Sequence, residues 1–114
     1  MGAGRPALDV LVFYSPVGAS RSVLAALFAA GAGRIGDYTE CAWLVEGTGQ
    51  FRPGSDADPA IGSVGELELV AEHRVEVTFP RGLRPEVVAA LRAAHPYEEP
   101  AFPVIEVAYP DTSA

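Results

Sequence analysis

The sequence predicts an α+β domain of the order βαββαβ, in which an antiparallel sheet carries two helices on one face. Three observations carry this prediction. The stretch from Glu66 to Phe79 alternates between apolar and polar residues as a strand does. Apolar residues recur at helical spacing at Val23, Leu24, Leu27 and Phe28. Prolines and glycines divide the rest of the chain into short segments.

The first strand and the first helix are predicted from Leu8 to Gly31. Leu8 to Tyr14 is apolar on both alternating faces, which is typical of a strand at the centre of a sheet. Ser15 then offers an N-cap, and Pro16 suits the first position of a helix. Gly31 supplies the stop at the C-terminal end of this helix.

The second strand is predicted over Tyr38 to Glu46, with Cys41, Trp43 and Val45 on one face. The aromatic residues Trp43, Phe28 and Phe79 have the spacing of core residues, so we expect them to pack inside the domain. The following segment, Gly47 to Gly65, contains five glycines and two prolines, too many for a regular element. A long irregular segment in a compact domain more often carries function than not.

The third strand is predicted over Glu66 to Phe79. One of its faces is apolar, with Leu67, Leu69, Ala71, Val75, Val77 and Phe79. The other face is charged, with Glu66, Glu68, Glu72, Arg74 and Glu76. A strand of this length is unusual, so we expect a bend or bulge near Ala71.

The second helix is predicted to begin at Pro85 and to end near Ala94, because Pro96 disfavours helical geometry at His95. Phe102 to Tyr109 forms the last strand, and Pro103 within it indicates a sheet edge. This order gives the ferredoxin-like sandwich, in which the first and third strands are central and the fourth is an edge. We expect a single domain over residues 8–109 with loose tails at 1–7 and 110–114. The sheet face without helices needs cover, commonly from another subunit.

Composition excludes several classes of partner. The chain has 114 residues, a net charge of -7 and no lysine, so nucleic acid and anionic membranes would be repelled. The chain contains no apolar run of membrane-spanning length, and we recognise no signal peptide. Cys41 is the single cysteine, which fits a reducing compartment. We therefore expect a cytoplasmic protein.

Four segments occur in an order that resembles a known family. They are Gly31 to Gly36 (GAGRIG), Glu46 to Pro53 (EGTGQFRP), Pro59 to Gly62 (PAIG) and His95 to Pro100 (HPYEEP). Together they resemble the PII/CutA-like domain inserted in many bacterial Nif-three-like (NGG-interacting-factor) proteins and also found as a stand-alone chain. The last segment is also similar to the His-Pro-Tyr-Glu stretch of CutA divalent-cation-tolerance proteins. The resemblance covers Leu8 to Tyr109 and implies a ferredoxin-like fold and a homotrimer. It does not carry over the parent family's dinuclear metal site or any cyclohydrolase activity, because that site lies outside the inserted domain.

The densest polar cluster is the turn that contains His95, Tyr97, Glu98 and Glu99. An imidazole and two carboxylates are able to bind a divalent ion or to exchange protons near neutral pH. The same residues also suit a helix stop whose carboxylates meet arginines across a subunit interface. We favour the structural or interface role.

The Gly47 to Gly65 segment is the second candidate. In PII-type proteins, which the chain resembles, this loop contacts partners and nucleotides sit in the cleft between subunits. Gly47, Gly49 and Gly62 allow close backbone approach, and the Arg52 guanidinium is able to donate two hydrogen bonds to an anion. However, no helix N-terminus follows the glycines, and Asp56 and Asp58 would repel phosphate. We favour an Ω-like loop whose Phe51 and Ile61 pack on the neighbouring subunit.

Other residues allow sharper hypotheses. His73 falls on the apolar face of the third strand, and a bend there would bring it near Cys41 on the adjacent strand. Together with a glutamate they would suit zinc or copper, although each also suits simple packing. The spacing of Gly31, Gly33 and Gly36 matches a dinucleotide fingerprint but follows a helix, so that interpretation fails. The remaining cations on or near the second helix indicate a solvated face: Arg81, Arg84 and Arg92.

These observations predict a homotrimeric regulatory or interaction module that binds itself and, in the cleft between subunits, a small molecule or a protein partner. No cofactor is firmly implied beyond a possible divalent metal. The first alternative is a divalent-metal binder that draws its ligands from His95, Glu98, Glu99, Cys41 and His73. The second is a small acid–base enzyme of the cyclase or isomerase type, with His95 or Glu98 as base and Tyr97 as proton donor.

Overall fold

The computed structural model describes residues 7–108, and within them the predicted α+β order is confirmed. The strands are β1 (Leu8–Pro16), β2 (Trp43–Phe51), β3 (Glu68–Pro80) and β4 (Val104–Val107). The helices are α1 (Ser20–Ala29) and α2 (Arg84–Ala94), each preceded by a short 3-10 turn, Val17–Ala19 and Arg81–Leu83. The predicted tails, apart from Ala7, and Tyr109 lie outside the described residues.

The sheet has the order β2-β3-β1-β4, and each pair of neighbours is antiparallel. β1 and β3 are central and β4 is an edge, as the sequence predicts. Side chains from one sheet face, among them Phe13, Val75 and Phe79, pack against α1 and α2 to form the core. Leu24 and Leu27 of α1 and Leu91 of α2 are buried in this layer, which is the main hydrophobic contribution to stability.

The start of α1 differs from the prediction. β1 continues to Pro16, and Ser15 is paired with His73 of β3 instead of capping a helix. The Ser15 hydroxyl is buried and lies 2.7 Å from that of Ser20, which opens α1. Pro16 has extended ψ (141°), so it ends the strand and precedes the 3-10 turn instead of occupying the first helical position. The end of the helix agrees with the prediction, because Gly31 has φ of 104°.

β2 is displaced by five residues from its predicted range. Residues 38–42 lie outside it, where Ile35 and Tyr38 form an isolated bridge and Glu40 has φ of 57°. Gly47 to Phe51, expected to be irregular, pairs with β3 instead. The pairing overrides the low strand propensity of the glycines. The core prediction for Trp43 is wrong, since its exposure is 59%. Phe79 is fully buried and Phe28 is partly buried against the core, as predicted.

β3 carries no bulge, because its register with both neighbours is unbroken. Its first residues, Glu68 to Ala71, extend past the end of β1 and pair with β2 alone. We call this two-stranded extension, Thr48–Phe51 with Glu68–Ala71, the arm. Leu69 in the arm is 61% exposed, because it lies beyond the buried core. Glu72 lies on the predicted charged face of β3, and it is buried there.

The segment after α2 forms as predicted at its start. α2 ends at Ala94, and His95 is extended with φ of −73° and ψ of 135°. β4 is shorter than predicted and begins after Pro103, whose carbonyl accepts a hydrogen bond from the Val12 amide (3.0 Å). β4 pairs with β1 only as far as Leu11. Beyond that point residues 95–103 lie along the edge of β1, where they bond to Val12 and Tyr14.

The expected solvated face of arginines is wrong for Arg81 and Arg84, whereas Arg92 is exposed. Arg81 Nε donates to Asp9 Oδ1 (2.7 Å), and Arg84 Nε donates to Asp9 Oδ2 (2.8 Å). Asp9 is fully buried. Burial alone would raise the pKa of Asp9, but the hydrogen bonds and charges of the two arginines outweigh it and lower that pKa. Arg92 lies over the ring of Phe102 at 4.8 Å, a cation–π contact.

Candidate functional site

A cavity of about 360 Å³ opens on the sheet face away from the helices. Since successive strand residues alternate, Tyr14 and Glu72 lie on the opposite face from Phe13 and Val75. The cavity is bounded by the arm, by the loop from 52 to 67 and by the turn after α2. We call it the Glu72 cavity. Its apolar walls are formed by Tyr14, Phe51, Pro53, Ala57, Ile61 and Ala101, and its carboxylates are those of Glu72, Glu98 and Glu99.

His95 anchors the turn that forms one wall. Its Nδ1 accepts a hydrogen bond from the Tyr97 amide (3.0 Å), so Nδ1 carries no proton. Nε2 therefore carries the proton of the neutral ring and donates it to the Tyr14 carbonyl at 2.6 Å. The ring is 6% exposed and packs edge-on against Phe13. Both nitrogens serve backbone groups of this chain, which favours the structural role and leaves neither nitrogen free for a metal ion or a substrate proton.

Tyr97 and Glu72 meet at the floor of the cavity. The Tyr97 hydroxyl donates to Glu72 Oε2 at 2.7 Å, and its ring lies edge-on to Phe51 at 5.8 Å. Burial, the hydrogen bond to Glu72 and the negative charge of Glu72 all raise the pKa of Tyr97. The phenol is therefore neutral at physiological pH and acts as a donor that orients the carboxylate.

Gly49 explains how Glu72 is accommodated. In the β2–β3 register Glu72 is opposite Gly47, and Gly49 is its diagonal neighbour on the same face. A Cβ added at Gly49 would collide with the Glu72 carboxylate, so the absence of a side chain makes room for it. Glu72 is 8% exposed, and no residue among 7–108 donates a hydrogen bond to its Oε1. Glu72 therefore lines the cavity with one oxygen that the described residues leave without a hydrogen bond and that remains accessible from the cavity.

The loop above the cavity is closed at its base. The Gly65 amide donates to the Pro53 carbonyl (2.9 Å), and Arg52 Nη1 donates to the Gly65 carbonyl (2.8 Å). Glu98 Oε1 accepts the Asp58 amide at 3.1 Å and so ties the loop to the turn. The two ends of the segment from 53 to 65 meet, as in an Ω-loop. Arg52 holds this loop closed, so part of its guanidinium serves the loop backbone and not an anion.

The structure brings together some of the residues singled out from the sequence and not others. The Glu72 cavity is lined by Gly49, Phe51, Ile61, Tyr97, Glu98 and Glu99. Four others do not line it: Gly47, Arg52, Gly62 and His95. Gly47 lies in β2 with open space where a Cβ would be, and Gly62 (φ 89°) lies against Glu68. Phe51 and Ile61, expected to pack on a neighbouring subunit, contribute walls within their own chain.

Cys41 and His73 are not brought together, which corrects the proposed metal pair. Gly33 donates to the Thr78 carbonyl and accepts from the Cys41 amide, both at 2.8 Å, so Cys41 lies beside Thr78. Thr78 is five residues from His73 on β3, about 17 Å at about 3.3 Å per residue. His73 Nδ1 lies 2.7 Å from the Ser20 hydroxyl. Within residues 7–108 no group of three or more His, Cys, Asp or Glu side chains is arranged to hold a metal ion.

Sequence reasoning missed Glu72 and Tyr14. Strand alternation assigns Glu72 to the polar face of β3, and this assignment is correct. Alternation does not show that the loop and the turn after α2 cover this part of the face. The missing information is the hairpin register, which sets Gly49 beside Glu72 and Phe51 beside Tyr97. The signal in the sequence is a pair of glycines two residues apart, Gly47 and Gly49, in a segment that pairs as a strand. Glycines in a strand often mark a place where another group approaches the backbone closely, as the Glu72 carboxylate does here.

The comparisons with curated proteins identify long relatives. No protein-family model matches the chain. A Mycobacterium tuberculosis protein named GTP cyclohydrolase 1 type 2 homolog is 57% identical over 107 residues, covering 94% of this chain and 28% of that protein. A Bacillus subtilis protein of the same name is 47% identical over 100 residues, covering 88% and 27%. The chain thus spans little more than a quarter of the length of these relatives.

The comparisons with solved structures agree. A Bacillus cereus protein related to NIF3 matches with a TM-score of 0.77 and 37% identity, over 92% of this chain and 27% of that one. The CutA protein of Archaeoglobus fulgidus, titled a periplasmic divalent cation tolerance protein, matches with a TM-score of 0.66 over 93% and 89%. Its identity is 15%, so this likeness is one of fold. The chain is therefore the counterpart, in sequence and in fold, of one domain of the NIF3-related proteins, and it has the fold of the CutA proteins.

Proposed function

We propose that this chain is a self-associating regulatory or interaction module, a homotrimer of the PII/CutA-like type that binds a small ligand or a partner group at the Glu72 cavity. The observation that carries the proposal is the set of exposed apolar side chains on the two outer strands of the sheet face without helices. The likeness in fold to CutA proteins and the resemblance of the HPYEEP segment support it. The activity in the name of the longer relatives is not part of the proposal, because the chain spans only 28% of them.

The open sheet face carries large apolar side chains on its two outer strands. Trp43 and Val45 of β2 are 59% and 43% exposed, and Ile105 of β4 is 49% exposed. The register places Trp43 opposite Glu76 and Ile105 opposite Val10, so these side chains share one face. Tyr38 at 74% and Ile35 at 46% add to the exposed apolar surface. Apolar groups of this size gain stability when a second surface removes them from water.

The arm gives a second reason for self-association. It is a two-stranded ribbon without cover from β1, and such ribbons are marginally stable in water. Leu69 in the arm and Leu67 and Val64 just before it are 61%, 48% and 49% exposed. A neighbouring copy packed along the arm would cover these side chains.

Native mass spectrometry combined with Trp43 fluorescence tests the proposal. Trp43 is the single tryptophan of the sequence, so its emission reports on this face alone. We expect a mass of three chains and a blue shift of the emission over the concentration range in which the trimer forms. Val45→Glu adds a charge to the open face and is expected to give monomers. Ala93→Glu adds the same charge to the exposed side of α2 and should leave the trimer intact.

A monomeric wild type would refute the assembly, as would a trimer that tolerates Val45→Glu as well as Ala93→Glu. The metal-binding and acid–base alternatives gain no supporting observation from residues 7–108, where His95 is engaged by backbone groups. Neither helix of this part of the chain is long and apolar enough to cross a membrane. The lone Cys41 supports our proposal that the module works in the cytoplasm.

A further inference from the structure

We infer that the Glu72 cavity selects a small organic cation, a molecule with an ammonium or guanidinium head on an apolar body. This inference deepens the proposed function and rests on it only in naming the ligand class of the same cavity. It depends on three features of the cavity: the unpartnered oxygen of Glu72, the absence of any basic residue among the described residues that line it, and the apolar walls.

The first feature is the state of the Glu72 carboxylate. Tyr97 occupies Oε2, whereas Oε1 accepts no hydrogen bond from the described residues and stays accessible from the cavity, although the residue as a whole is only 8% exposed. Because this oxygen opens into the cavity and is not held by the protein, a bound cation with N–H donors can form a charge-assisted hydrogen bond with it. The Tyr97 phenol cannot serve both oxygens at once, so Oε1 remains for the ligand.

The second feature is the sign of the charge. Three glutamates line the cavity, Glu72 at its floor and Glu98 and Glu99 in the turn, and neither arginine nor histidine from residues 7–108 does. Phosphates and carboxylates would be repelled by this set. The charge of the lining therefore disfavours nucleotides, the ligand class of the PII-type cleft, and favours a positively charged ligand.

The third feature distinguishes an organic cation from a metal ion. A volume of about 360 Å³ equals roughly twelve water volumes of about 30 Å³ each, far more than a bare ion needs. It lies at the small end of the range typical of ligand pockets. Aromatic rings of Tyr14 and Phe51 line the walls together with prolines and alanines, surfaces that suit a hydrocarbon body of roughly ten atoms.

The test uses three probes of one shape: 4-phenylbutylamine, the neutral 4-phenyl-1-butanol and the anionic 4-phenylbutyrate. Binding to the full chain is followed by the amide chemical shifts of Gly49, Ala57 and Ala101, which line the cavity. We expect the amine to bind at least tenfold more tightly than the alcohol, and the acid to bind more weakly than both. A charge-assisted hydrogen bond supports a preference of about tenfold to a hundredfold.

Glu72→Gln keeps the shape of the side chain and an oxygen for Tyr97, and we expect it to abolish the preference for the amine over the alcohol. Glu86→Gln removes the same charge from the exposed first turn of α2 and should keep that preference. Equal affinities of the amine and the alcohol for the wild type would overturn the inference, as would no saturable shift at these amides. Loss of the preference in Glu86→Gln to the same extent would also overturn it.

Masses of the same samples separate this inference from the proposed function. A wild-type trimer that does not bind the amine would refute the inferred ligand class but not the proposed trimeric module. A monomer that binds the amine in a Glu72-dependent way would refute the proposed trimer but support the inferred ligand class. The spectrum of Glu72→Gln without probe shows whether the variant is folded, so a lost preference is not confused with unfolding.

Discussion

Asp9 is a buried carboxylate that joins β1 to the start of α2, and Asp9→Asn is expected to destabilise the fold strongly. The substitution removes the charge and keeps the size, so it addresses electrostatics and not packing. Two charge-assisted hydrogen bonds are lost, at about 1.5–3 kcal/mol each. Arg81 and Arg84 are 35% and 40% exposed and regain water in the variant, which reduces each contribution to about 1–2 kcal/mol. We expect a loss of about 2–4 kcal/mol.

The assay is thermal unfolding followed by circular dichroism at matched protein concentrations. At about 4 °C per kcal/mol for a chain of this length, Tm should fall by about 8–16 °C. Glu106→Gln is the matched control, because Glu106 contacts the same two arginines and is 62% exposed. Its cost should stay within about 1 kcal/mol, the range of surface ion pairs. Equal losses in the two variants would refute the argument that burial of Asp9 decides the magnitude.

The pH dependence of the stability difference between wild type and Asp9→Asn tests the direction of the pKa shift of Asp9. The pKa of Asp9 is lower in the folded state than its ordinary value of about 3.9, so its contribution is present above about pH 4. The contribution is lost as the pH falls through the lower, folded-state pKa. The asparagine side chain of the variant does not titrate, and the stability difference between wild type and Asp9→Asn should therefore narrow below about pH 4. A difference that stays constant down to unfolding would contradict this linkage.

Three further predictions concern the cavity and the core. Spectrophotometric titration at the tyrosinate absorption band should show one tyrosine that deprotonates at higher pH than an ordinary phenol, and this step should be absent in Tyr97→Phe. Because the folded-state pKa of Tyr97 is raised, its stabilising contribution is fully present below about pH 10 and is lost as the pH rises through the folded-state pKa. His95→Ala should cost about 2–3 kcal/mol in denaturant unfolding, since it orphans the Tyr14 carbonyl and the Tyr97 amide; a zinc-dependent rise in Tm of wild type that vanishes in this variant would instead restore the metal hypothesis. Leu27→Ala should cost about 2–5 kcal/mol by the same measurement, because Leu27 is fully buried between the sheet and α2; a loss below about 1 kcal/mol would mean that the core collapses around the missing atoms.

Local signals predicted much of the fold. Pro96 correctly ended α2 at Ala94, and Gly31 correctly ended α1, because each acts on the backbone within one turn of its own position. The alternation of β3 is correct from Val75 to Phe79, where one face meets the helices. It fails at Leu69, which continues the apolar pattern beyond the reach of the core.

The remaining features depend on pairings between distant residues. Arg81 and Arg84 look solvated until Asp9, 72 and 75 residues away in the chain, is known to lie between them. The sequence pattern places β2 five residues too early, because its glycines argue against a strand until β3 is paired with it. The same pairing places Glu72 at the floor of the cavity, whereas alternation alone leaves it in solvent.

The pairing of β1 with β4 has a consequence for how such a domain can be connected to others. Leu8 near the start of the described chain is the register partner of Val107 near its end, so the two ends leave the sheet side by side, about 5 Å apart. A unit whose ends lie this close can be spliced into a surface loop of a host protein without separating the two halves of the host. The longer relatives, in which the matching part is about a quarter of the length, are proteins for which this geometry supplies a simple evolutionary route.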